Sequence, residues 1–141
     1  MAVQLIIVPA LVCGAVIGAY EAILVHRDVS VPTHRFGHML HALVYALIAV
    51  FFTMNATFIY ANFAFLHKIP LLQHIIVFQI AVGLITVIKV HGASAAIRGS
   101  FGMGSLGMKE TWVHSLVIGA LVVAAPYVWP IAAPFLPSWL K

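Results

Sequence analysis

Long apolar runs broken by short polar ones dominate the chain. Apolar residues predominate over 2–25, 37–66, 71–97 and 111–129. A helix needs about 20 predominantly apolar residues to cross bilayer hydrocarbon, and each run can supply them. Hydrocarbon offers the backbone no water, so an apolar run inside it must be helical. The pattern predicts an all-α integral membrane protein: four transmembrane helices in a bundle with short loops, one membrane domain over 1–141. The second run exceeds what a bilayer requires, which predicts tilt or projection beyond the membrane.

The connections differ in kind. "VHRDVSVPTHRF" (25–36) reads as a polar loop and "HKIP" (67–70) as a tight turn that makes an antiparallel hairpin of helices two and three. "RGSFGMGSLGMKE" (98–110) is a glycine-rich loop. The stretch 130–141, "PIAAPFLPSWLK", places Pro130, Pro134 and Pro137 ahead of Trp139 and Lys141. It reads as a proline-rich interfacial tail, since Trp and Lys anchor at headgroup level. No internal repeat supports an inverted-repeat transporter. The first run lacks a basic leader and is long enough to span, so it reads as a helix and not as a cleaved signal.

Composition strengthens this picture. The chain is 64% hydrophobic and 7% charged, against about 25% charged in soluble domains. That excludes a soluble core with a polar coat. The net charge of +4 reflects scarce acids, only Glu21, Asp28 and Glu110. Lys and Arg are scattered, which excludes a nucleic-acid surface, and no soluble small-molecule substrate is evident. The expected partners are the lipid bilayer and other integral membrane subunits. Arg27, Arg35, Arg98, Lys109 and nearby Lys89 gather at the first and third loops, against Lys68 and Lys141 elsewhere. The positive-inside rule then predicts a multi-pass cell-membrane protein with both termini outside. Cys13 lies in an apolar run and reads as a buried thiol without a disulfide partner.

Candidate chemistry centres on the eight histidines. On one helix, His34, His38, His41, Tyr45, Asn55 and Asn62 fall on one face. This polar stripe should meet protein or water, not lipid. His38, His41, Tyr45, Asn55 and Asn62 are the expected partner-facing or interior set. A metal site would draw on His34, His38 and His41 with Glu21 or Asp28, donors suited to Zn, Cu or Fe, but no HExxH, paired ExxH or CxxC motif fixes the geometry. A haem would need two facing histidines, and His41 with His91 or His114 is the candidate set. An ion pathway would use Gln79, Thr86 and Lys89, which share a face of the third helix without continuing into a ladder. The competing account of all these groups is structural: histidines at headgroup level and a polar seam for packing. Glu21 would pair with Lys89 or an arginine. "GMGSLG" (102–107) matches a dinucleotide fingerprint only literally, because no strand precedes it. Asn55-Ala56-Thr57 matches a glycosylation sequon inside an apolar helix and is set aside. Gly119, Ala120, Ala124 and Ala125 on helix four permit close helix approach. The aromatic outer half of helix two, Phe51 to Phe65, suits lipid or a neighbouring subunit.

In its length, helix count, histidine-rich and acid-poor make-up, and its "KETWVHSLVIGALVVAAPYVWP" stretch, the chain resembles the small accessory membrane subunits of archaeal ammonia monooxygenase. The resemblance implies a helical subunit that supports a copper enzyme whose catalytic ligands lie on other subunits. It carries no ligand onto a residue here. Three function classes are therefore expected. The first is a non-catalytic small subunit stabilising a larger membrane complex, with no cofactor bound by this chain alone. The others are a haem- or metal-binding redox module and a small oligomeric channel or transporter.

Overall fold

The computed structural model describes residues 3–28, 32–100 and 112–140, with side chains described outside 25–28, 32–35, 38 and 93–100. Residues 3–7 enter without regular structure, and the chain then forms α1 (Val8–Asp28), α2 (Pro32–Met54), α3 (Ala56–Asn62), α4 (Ile75–Ser100) and α5 (Trp112–Ala132). Short 3-10 turns cover Ala64–Lys68 and Pro70–Leu72 between α3 and α4, and Ala133–Phe135 and Ser138–Leu140 after α5. The described residues contain no strand. The expected all-helical class is found. Among the described residues, two helical stretches, Ile75–Gly92 and Trp112–Phe135, are long and apolar enough to cross a membrane, or three if α2 and α3 count as one bent span. The apolar part of α1, Val8–Leu24, falls just short of that length.

The helices pack as two antiparallel hairpins. α1 lies along α2 and α4 along α5; α2 then meets both α4 and α5, and α1 meets α5. Both hairpins use glycine for close approach. A Cβ at Gly14 or Gly18 would lie 2.9 Å from the backbone Cα of Leu47 or Leu43, so nothing larger fits between α1 and α2. In the second hairpin the two glycines face each other: a Cβ at Gly119 would meet the Gly83 carbonyl oxygen at 2.8 Å, and one at Gly83 would meet that of Gly119 at 3.1 Å. Helices in lipid associate through packing and hydrogen bonds, and small residues raise both by admitting a neighbouring backbone. The core follows the same logic. Ala10, Ala46, Ala49 and Ala125 fill it around the fully buried Val50, Ile118 and Val122.

The element boundaries depart from the sequence expectation in several places. The first helix starts at Val8, not at residue 2; most of the expected polar loop 25–36 is helix, since α1 runs to Asp28 and α2 starts at Pro32; and α4 starts at Ile75, not at residue 71. The run 37–66 is not one helix: it breaks at Asn55, and α3 leaves at 68° to α2. At the bend the Phe51 carbonyl accepts from both the Asn55 N–H and the Asn55 side-chain amide, each 3.0 Å away. The expected tight turn at 67–70 is part of a longer irregular connection over 63–74. The fourth helix passes the expected end at 129 and runs to Ala132 through Pro126 and Pro130. Membrane helices tolerate such prolines when another group takes the freed carbonyl.

Candidate functional site

That freed carbonyl organises the bundle interior. Pro126 has no N–H, so the carbonyl four residues back, Val122, loses its helical donor. The Thr53 hydroxyl lies 2.9 Å from the Val122 oxygen and 3.1 Å from the Val50 oxygen of its own helix, and its one proton serves both. Thr53 is also where α2 is about to stop, so its own carbonyl belongs to the unpaired last turn. Gln79 of α4 fills that need, donating from Nε2 to the Thr53 oxygen at 3.0 Å. The other end of the amide, Oε1, accepts from the Tyr127 hydroxyl at 2.6 Å. Thr53 and Gln79 are buried. One chain of bonds thus ties α2, α4 and α5 together while repairing two backbone defects.

Asn55 repairs a third. Its Oδ1 accepts from the Ile6 N–H at 2.6 Å and its Nδ2 donates to the Ile6 carbonyl at 2.9 Å. This amide pairing mimics a strand partner and pins the entering segment beside the bend. Asn55 is buried to 1% exposure, so the bonds are made where water is scarce.

The opposite end of the bundle holds most of the described ionisable groups. Glu21 of α1, 5% exposed, is 2.9 Å from Nε2 of the partly buried His114 on α5. The contact is a hydrogen bond in either protonation state and an ion pair when His114 is charged. The Tyr20 ring sits 6.4 Å from that of His114. His91 stacks on Trp112 with centroids 3.7 Å apart and planes 14° apart, and its Nδ1 is buried without a hydrogen-bond partner among the described residues. His41 is exposed, its ring 6.4 Å from Tyr45. Lys89 is exposed as well.

The sequence candidates are therefore dispersed. His34, His38 and Asp28 have their side chains outside the described residues. Glu21 takes His114 as its partner instead of Lys89, because α1 packs on α5. Among the described residues, no three of His, Cys, Asp and Glu gather as a metal site would require. Of the haem set, His41 is exposed, His91 lies flat on an indole, and His114 Nε2 is engaged by Glu21. The stripe on helix two divides at the bend. Asn55 turns inward, whereas Asn62 is exposed and bonds only its own turn, to Phe58 at 2.8 Å. In the expected polar face of helix three, Gln79 and Thr86 point inward, and Thr86 returns its hydroxyl to the Val82 carbonyl.

Sequence reasoning missed the roles of Thr53 and Tyr127 and of the Gly14–Gly18 pair. The pair stands in "GAVIG", the small-xxx-small spacing of close helix contacts, and was detectable. The Thr53 bond had half a signal, since Pro126 marks Val122 as needing a donor but does not say which residue supplies it. A further feature lies outside the core. Along the α4–α5 face runs an apolar groove of about 340 Å³, floored by Gly83 and Gly119 and flanked by Leu84, Leu116 and Tyr127. Comparison with family models, with curated proteins and with solved structures gives no match.

Proposed function

We propose that the chain is a non-catalytic, multi-pass membrane subunit that packs against a larger membrane complex and stabilises it. The supporting observation is how its buried polarity is spent. Thr53, Asn55, Gln79 and Glu21 each bond to another helix or segment of the same chain. Buried polar groups in a catalyst or a conduction path are held toward a ligand or water; here they lock the bundle. Large apolar side chains such as Val16, Ile88, Val113 and Ile131 face outward, each at least 66% exposed, and offer surface to lipid and to neighbouring helices. In this reading four helices cross the membrane, both termini lie outside, and the complex is a copper membrane monooxygenase of the ammonia-oxidising type.

The test is purification of the full chain in mild detergent, with native mass, identification of co-purifying chains, and metal and haem analysis on one sample. The expected result is a complex far heavier than the chain, whose copper follows the other subunits. A His41→Ala variant should weaken recovery of that complex without removing a stoichiometric cofactor. A lone chain carrying one metal or haem per copy would overturn the reading in favour of a redox module. A homo-oligomer would overturn it in favour of a channel.

A further inference from the structure

The chain between α2 and α4 raises a question of depth. α2 has 23 residues, a length of about 34 Å at the α-helical rise, and its apolar part, Met39–Met54, qualifies as a span together with α3. α3 then departs at 68° and leads into the irregular segment 63–74. Two requirements fix where this segment can sit. Irregular backbone does not occur lipid-exposed inside hydrocarbon, because its N–H and C=O groups need water. Yet Phe63, Phe65 and Leu71 are 50%, 57% and 74% exposed, a large apolar surface to leave in water. Only the headgroup level meets both needs.

The chemistry of the segment fits that level and adds a sign. His67, Lys68 and His74 are exposed among the apolar side chains, and no acid occurs anywhere from 29 to 109. The segment is also fastened from below. The Tyr60 hydroxyl donates to the Leu72 carbonyl, its ring meets those of His67 and Phe78 edge-on, and His67 Nε2 lies 3.1 Å from the Tyr60 carbonyl. Phe135 and Trp139, 87% and 74% exposed, stand at the same end of the bundle, where the turn Ser138–Leu140 meets α1.

We infer that residues 56–74 form a rigid shelf lying in the membrane interface, whose ligand is the anionic phospholipid headgroup layer. The shelf rests on the membrane reading of the chain, though not on the identity of any complex. Its apolar side chains insert to the headgroup–acyl boundary, and Lys68 contacts phosphate oxygens. α3 adds no length to the span.

Depth measurement tests this on the full chain. Single-cysteine variants Phe65→Cys, Leu71→Cys and Ile48→Cys, made in a Cys13→Ala background, carry a spin label. They are reconstituted in phosphatidylcholine and in phosphatidylcholine with about a third phosphatidylglycerol. The readout is accessibility to oxygen against a water-soluble nickel chelate. The 48 label should lie deep, and the 65 and 71 labels about 5–10 Å into the boundary region. Anionic lipid should lower nickel accessibility at 71 several-fold, and Lys68→Gln should abolish that response. Labels at 65 and 71 that are fully water-accessible, or at the bilayer centre, overturn the shelf. A response identical in the two lipids overturns the anionic ligand. Depth that changes only in the presence of another protein makes this a protein-docking surface instead. A water-accessible 48 label would overturn the membrane reading itself, which separates the two failures. In a Trp112→Phe, Trp129→Phe variant, Trp139 reports the depth of the 138–140 turn at that end by brominated-lipid quenching without any label.

Discussion

Two asparagines of one sequence stripe show how much a single residue can hold. Asn55 makes three bonds, two to Ile6 and one to Phe51; Asn62 makes one, within its own turn. Asn55→Leu should destabilise the fold by about 1–3 kcal/mol, since it strips partners from partly buried backbone groups. Asn62→Leu should leave stability near wild type. Unfolding titrations in mixed micelles compare the two directly. At the other end, Glu21→Gln keeps a group able to bond His114, while Glu21→Leu removes it. The leucine variant should lose more stability, by about 1–3 kcal/mol relative to wild type, and the glutamine variant less than half of that. A smaller loss in the leucine variant would show that the pair contributes nothing net, a known outcome for buried pairs. The sequence marked Asn55 and Glu21 as polar residues needing partners but could not name those partners. Helical phase assumes an unbroken helix, and the chain bends by 68° at Asn55.

At the scale of the element, glycine sets the spacing of both hairpins. Gly119→Val should force α4 and α5 apart, because the clash is with the Gly83 carbonyl and cannot be relieved by rotating a side chain. Overpacking of this kind costs about 1–3 kcal/mol. Gly14→Val should act likewise on α1 and α2 through Leu47. Gly92→Ala is the control: a Cβ there meets nothing within 4 Å, and the helix gains about 1 kcal/mol from the better helix former. Thermal melting in detergent ranks the three. The existence and type of the long helices were legible, because twenty apolar residues admit few other structures. Their ends were less so. Pro130 read as the terminator, yet the helix runs on to Ala132; at Pro126, inside the expected helix, Thr53 supplies the donor that Val122 lost. Within the segment 63–74 only 67–70 read as a turn and the flanks read as helix, because apolar composition does not separate a helix from a run of 3-10 turns.

At the scale of the molecule, charge and structure are sorted along one axis. Glu21, His41, Lys89, His91 and His114 lie at one end; the bend, the amide clip and the acid-free segment lie at the other. The segregation was legible, since it follows from the order of polar loops between spans. Which groups would meet was not, because that depends on which helices become neighbours.

The two-hairpin plan has a consequence for how the chain comes into being. Each hairpin has its own glycine contact and its own antiparallel partner, and the covalent link between them is the outlying stretch 63–74. The protein is therefore divisible. Synthesis can complete α1 and α2 as a finished unit before α4 emerges, leaving the bonds from Thr53 to Val122 and from Gln79 to Thr53 to join the halves afterwards. Two separately translated pieces, cut after Lys68 and co-expressed with a tag on one, should recover each other from the membrane. Gln79→Leu should reduce that recovery without dissolving either half. Covalent continuity would then serve the delivery of the parts in equal number, and the interior hydrogen bonds their union.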